Sequence, residues 1–305
     1  MSIRIGVGTG LGPPMRVEEY WRFVQLCEAL AIDSIWHSDQ LLRPSLEPIA
    51  MLAALAARTK SLRFGMNAVV VSHRDPLIIA KECATIDYLA PGRLLPVFGI
   101  GDTADPVWKA TGRSPEGRGE RANEAIALIR RLLSEDDVSF QGKHFHYENV
   151  SIAPRPQRRI PIWIGGESAA AIQRTAALGD GWLGGLTAPK TAGDVIARIK
   201  AGLKNVGRHI DEDHYGVVVP FRVGGMQDAE VVSFRNAINA RRRAAAEAPV
   251  IAVGDQAAVV DVFRQYIDAG ISKFVAIPLG SNAQDIQAQV HRLAEDICPK
   301  VETAR

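Results

Sequence analysis

Cysteine is scarce in this chain. Its 305 residues include only Cys27, Cys83 and Cys298, an odd number without CxxC or metal-ligand spacing, so neither a disulfide framework nor a bound metal has support. Reduced thiols are expected, as in a cytoplasmic protein, with Cys27 and Cys83 as small core residues of helices. Excess charge is also missing. A formal net charge of +2 creates no field that would draw nucleic acid or an anionic membrane as the main partner. No apolar run is long enough to cross a bilayer, and the first residues enter a strand directly, so neither export nor membrane insertion is expected. Gly/Ser-rich linkers and strong internal repeats are absent. So are GxxxxGK[ST], HExxH and GxSxG, which removes local support for nucleotide hydrolysis, zinc proteolysis and elbow-serine chemistry. "GVGTGLG" from Gly6 to Gly12 superficially resembles a dinucleotide fingerprint, but its spacing is not GxGxxG and Pro13-Pro14 blocks direct entry into a helix.

What is present is alternation. Strand-like runs at 3–7, 33–36, 62–67, 93–98, 160–164, 216–223 and 273–277, with a further one after Asp180-Gly181, are separated by helical patterns at 17–30, 49–58, 76–89, 118–133, 168–178, 192–203, 255–269 and 283–297. Each helical stretch repeats its apolar residues with a period near 3.6, and the strand runs are short and apolar throughout, as strands buried on both faces require. About eight such units over this length predict an α/β protein, a single (β/α)8 TIM barrel. Two insertions are expected: a small hairpin near 138–153, turning at Gln141-Gly142, and a helical stretch near 227–247 that contains Arg241, Arg242 and Arg243.

In a parallel barrel the C-terminal ends of the strands converge on one mouth, so the residues ending each run are the candidates. The second run ends in "SIWHSDQ", with His37 able to titrate near neutrality and Asp39 able to accept hydrogen bonds; period two puts both on one side if the strand extends that far. The third reaches Asn67-Ala68. The fourth ends in "VFGIGDT", where Gly99 and Gly101 allow close backbone approach beside Asp102 or Thr103. The fifth, "IPIWIGGESAAAIQRTAALGDGW", stops on Gly165-Gly166, passes Glu167 and opens a helix whose free N-terminal amides suit an anion such as phosphate.

The stretches "AIDSIWHSDQ", "LAALAARTKSLRFGMNAVVVSHRDPLIIAKECATIDYLAPGRLLPVFGIGD", "GRGERANEAIALIRRLLSEDDVSFQGKHF" and "PRPQRRIPIWIGGESAAAIQRTAALGDGW" carry a family resemblance. In this order, over nearly the first two thirds of the chain, the sequence resembles the bacterial luciferase-like superfamily of flavin and deazaflavin oxidoreductases. The resemblance implies an elaborated TIM barrel of the luciferase-like type that holds a tricyclic ring at the strand ends. Gly165, Gly166 and Glu167 would then cradle the cofactor's phosphate, and Asn67-Ala68 would be a non-proline cis peptide pressed against the ring. "SDQ" resembles the "SDH" segment of members that use coenzyme F420: Asp39 carries over, whereas Gln40 cannot perform the proton transfer of that histidine.

The implied function is hydride exchange between F420 and a small organic substrate. The alternative is an FMN-dependent luciferase-like monooxygenase that uses reduced FMN, supplied by a separate flavin reductase, and oxygen; a non-catalytic flavin-binding protein is the third reading. Trp36 and Trp163 are expected near the ligand. A homodimer is the family's default assembly.

Overall fold

A computed structural model of the protein describes residues 2–9, 15–240 and 249–303. Its strands are β1 (Arg4–Thr9), β2 (Ser34–His37), β3 (Arg63–Met66), β4 (Val69–Val70), β5 (Leu94–Leu95), β6 (Val97–Gly99), β7 (Val138–Gln141), β8 (His146–Val150), β9 (Trp163–Gly165), β10 (Gly181–Gly184), β11 (Tyr215–Val223), β12 (Ala252–Gly254) and β13 (Lys273–Pro278). The helices are α1 (Val17–Ala29), α2 (Pro48–Arg58), α3 (Pro76–Leu89), α4 (Val107–Ala110), α5 (Arg118–Leu132), α6 (Ala169–Leu178), α7 (Pro189–Asn205), α8 (Ala229–Asn239), α9 (Gln256–Asp268), α10 (Ala283–Arg292) and α11 (Cys298–Val301).

Parallel pairing runs β5-β3-β2-β1-β13-β11-β10-β9-β6-β4. The two ends of this path are halves of the same two strands: β3 and β4 flank the cis peptide Asn67–Ala68, and β5 and β6 flank Pro96. Since β3 pairs with β5 and β4 pairs with β6, the circuit closes into an eight-stranded barrel. The fourth strand, expected unbroken over 93–98, is interrupted because Pro96 has no N–H to give to a ladder; its carbonyl still accepts from the Trp163 amide at 2.9 Å.

Both faces of the barrel strands are buried, and the alternation is strict. Val217 and Val219 belong to the large core beneath the helices, whereas Val218 belongs to the barrel interior with Trp36, Val97, Trp163, Leu183, Val275 and Ile277. A continuous apolar run therefore feeds two cores at once. Trp36 requires a gap in the neighbouring strand: a Cβ on Gly65 would lie 2.3 Å from its ring.

Helix starts follow local chemistry. Asp75, Ser168, Asp255 and Asn282 cap α3, α6, α9 and α10 with side-chain acceptors, and Pro48, Pro76 and Pro189 occupy first-turn positions where no amide is needed. The last helix, expected over 283–297, is regular only to Arg292 and passes through a π-helical segment, Leu293–Ile297, before α11. β7 and β8 form an antiparallel hairpin apart from the barrel sheet. α8 falls in the stretch expected to be helical near 227–247, while Arg241, Arg242 and Arg243 lie outside the described residues. β12, which pairs with β11, and the short α4 have too few residues to show a period in the sequence.

Candidate functional site

At the strand-end mouth, three elements meet on backbone and one methyl group. A Cβ placed on Gly99 or on Gly165 would each lie 3.5 Å from the Cβ of Ala68. The ends of the third, fourth and fifth strands thus present one shallow, apolar patch without projecting side chains. The cis bond preceding Ala68 lies within it, and the Asn67 amide donates to the His37 carbonyl at 2.8 Å, which ties this patch to the end of β2.

β2 stops at His37, so the period-two placement of His37 and Asp39 on one side does not extend past it. His37 turns toward α1. Its Nδ1 lies 2.9 Å from Thr9 Oγ1 and its Nε2 lies 2.8 Å from the Tyr20 hydroxyl. Burial lowers its pKa to about 4, so the ring is neutral at pH 7. Asp39 points elsewhere. Its carboxylate, 1% exposed, accepts from the Val70 amide at 2.9 Å and is clamped by both terminal nitrogens of Arg74. Arg74 also reaches Glu47 at 3.1 Å. Asp39 therefore fixes the chain that follows the cis bond from beneath.

The turn after β9 adopts a conformation suited to glycine. Gly166 has φ +110°, and its carbonyl accepts from Trp182 Nε1 at 2.8 Å. Glu167 accepts from Thr187 Oγ1 at 2.9 Å, and Ser168 caps the Ala171 amide. Two arginines meet where α6 packs on the start of α5. Arg174, buried, donates to Asn123 Oδ1 at 2.6 Å and to the Gly119 carbonyl at 3.2 Å; Arg118 reaches the Gly101 carbonyl at 3.4 Å. Burial, and then the charge of Arg118, depress the pKa of Arg174. Two positive charges therefore stand near the N-terminus of α5, where the helix dipole is also positive.

Asp102 is tied to its own loop. It is exposed, and its Oδ1 accepts from the Ala104 amide at 3.1 Å. Gly101, with φ +73°, makes the turn. Arg74, Arg118 and Arg174 are the site residues that sequence reasoning missed. Their partners Gly101, Glu47, Asp39 and Asn123 lie 17, 27, 35 and 51 positions away along the chain, so no local spacing signals them. His73, stacked edge-on against Trp108 with ring centroids 4.1 Å apart, is a further one. Trp36 and Trp163, expected near the ligand, instead line a cavity with Arg4, Arg63 and Lys273, the first residues of β1, β3 and β13 and so at the opposite end of the barrel. Among the described residues, a grouping with metal-ligand spacing is Asp211, Asp213 and His214, before β11. There the His214 Nδ1 is already 2.7 Å from the Asp180 carbonyl.

Beside the patch, at the ends of β13, β1 and β2, a cleft of about 330 Å³ is lined by Thr9, Tyr20, Phe23, Leu46, Ile277 and Ile286 among others.

Comparison with known proteins gives a consistent set. Residues 1–293 match the family model described as luciferase-like monooxygenase. The F420-dependent glucose-6-phosphate dehydrogenase of Amycolatopsis mediterranei (strain U-32) is 26% identical, over 90% of this chain and 91% of its own. An F420-dependent secondary alcohol dehydrogenase, solved with an F420-acetone adduct, superposes with a TM-score of 0.84 at 18% identity, covering 99% of this chain and 100% of its own. The FMN-bound oxygenating constituent of 3,6-diketocamphane monooxygenase from Pseudomonas putida superposes with a TM-score of 0.79 at 14% identity, over the whole of both chains.

Proposed function

The chain belongs to the luciferase-like monooxygenase family, and from that premise we propose that it is an oxidoreductase that exchanges a hydride between coenzyme F420 and a small organic substrate. The observation that carries this reading is the patch of Ala68, Gly99 and Gly165 beside the glycine turn that opens α6, with Arg118 reaching the Gly101 carbonyl at the end of the fourth strand. It fits a flat ring at one end and a phosphate at the other. Gly166, Glu167 and the first amides of α6 would hold the phosphate, and Asn67-Ala68 with Gly99 would lie under the ring.

When bound, the deazaflavin supplies or accepts a hydride, two electrons at a time. Reduction of a carbonyl then takes that hydride at carbon and a proton at oxygen to give the alcohol, and oxidation removes both. The protein's task is mainly alignment, which agrees with a site holding few titrating side chains. Asp39 acts in this reading as a positioning residue, through Arg74 and the Val70 amide. His37, neutral and bonded at both nitrogens, orients Thr9 and Tyr20.

The choice of F420 over FMN is supported by the relative matched over nine tenths of the chain and by "SDQ". Titrating F420 and FMN into the apo-protein at equal salt tests it. The cofactors' own absorbance should be followed, since Trp36 and Trp163 lie at the far end of the barrel. F420 should bind more tightly; tighter FMN binding, with oxygen consumed when reduced FMN is supplied, would favour the monooxygenase.

A further inference from the structure

The cleft at the ends of β13, β1 and β2 has a chemical character that restricts what enters it. Among the described residues, no lysine, arginine, aspartate or glutamate lines it. Its walls are largely hydrocarbon: Met15, Phe23, Leu46, Ile277 and Ile286, together with two prolines. The polar groups that remain are hydroxyls and an imidazole. That imidazole is His37, which burial keeps neutral, and its two nitrogens already face Thr9 and Tyr20. Arg222, near the end of β11, is held by Asp228 and Asp285 at 2.7 Å and 3.0 Å.

We propose that this cleft is the substrate subsite and that it takes a neutral, mainly apolar alcohol or ketone rather than a sugar phosphate; the assignment rests on the hydride-transfer reading above. Moving a phosphate dianion into such a wall strips its water and returns no counter-charge. A ligand with a single oxygen meets no such difficulty, because one hydroxyl satisfies it while its carbon skeleton covers the apolar wall. Position agrees with chemistry. Ser38 lines the cleft, and the residue before it, His37, receives the Asn67 amide from the edge of the ring patch. The cleft and the patch therefore share a seam. Substrate preference would thus depart from that of the glucose-6-phosphate dehydrogenase matched along the sequence.

Saturation-transfer NMR tests the assignment on the apo-protein and on the F420-loaded protein, with cyclohexanone, 2-octanone and glucose 6-phosphate as probes. Leu46, 52% exposed on its loop, can be changed without opening the core; Leu42, 56% exposed and outside the cleft lining, is the control. At least one ketone should bind, at least tenfold more weakly in Leu46→Glu and unchanged in Leu42→Glu, and glucose 6-phosphate should not displace it. Glucose 6-phosphate binding as tightly as the ketones, absence of ketone binding, or indifference to Leu46→Glu would overturn the assignment. An F420 absorbance titration on the same samples reports separately on the hydride-transfer reading. Ketone binding without F420 binding would remove that reading and leave the cleft's specificity standing; F420 binding with a preference for glucose 6-phosphate would do the reverse.

Discussion

His37 is 2% exposed, and its two nitrogens sit between the hydroxyls of Thr9 and Tyr20. The folded chain holds it neutral down to about pH 4, against 6.5 for the free side chain. Between those values the unfolded chain binds a proton that the folded chain does not. Stability from keeping this ring neutral is therefore complete above pH 6.5 and is lost as pH falls toward 4. Burial moves His73 in the same direction. The His37 contribution lost between pH 7 and pH 5 is about 2 kcal/mol. Urea unfolding at the two pH values should show the parent losing that much more stability than His37→Gln; equal losses would mean that the ring does not titrate as its burial requires. The sequence identified His37 and Asp39 as chemically capable residues. It did not show which way either turns, because alternation ends where β2 ends.

The turn from β9 into α6 is the element whose form was legible. Two glycines after a short apolar strand, then Glu167, a serine cap and a run of alanines, specify a tight turn into a helix whose first amides are free. The structure adds the left-handed backbone of Gly166 and the Cβ of Ala171, which would lie 3.2 Å from any Cβ placed there. Gly166→Ala and Gly166→Asp should therefore both lose about 1–3 kcal/mol of stability. Only the aspartate adds negative charge where the proposed function puts the phosphate, so F420 should bind at least tenfold more weakly to Gly166→Asp than to Gly166→Ala. Equal affinities of the two folded variants would place the phosphate elsewhere. Other elements were less legible for physical reasons. The fourth strand is cut at Pro96 by a missing N–H, and β12 is three residues long, too short to carry a period.

At the scale of the whole molecule, closure of the barrel brings distant charges together. Lys273, at the start of β13, is ion-paired with Asp33, just before β2, across the intervening β1; their side chains are 6% and 8% exposed. Removing one partner strands the other in a dry setting, so Lys273→Met should cost about 3–5 kcal/mol in urea unfolding. Adding Asp33→Asn should recover part of that loss, since the uncompensated charge is then gone. A double variant as unstable as the sum of the single variants would show that the two side chains act independently.

The sequence by itself determined the order of strands and helices, the helix caps, the glycines at the strand ends and the family resemblance that the match over residues 1–293 bears out. Those features depend on neighbours within a turn of helix or a few residues of strand, so a linear reading contains them. Only the tertiary structure decided that Asp39 meets Arg74, that Arg118 and Arg174 meet at the start of α5, that Trp36 and Trp163 face the far end of the barrel, and that a cleft without charged lining among the described residues adjoins the patch of Ala68, Gly99 and Gly165. Each of those joins residues on separate strands and helices, and their distance in space is fixed by the closing of the sheet rather than by their spacing along the chain.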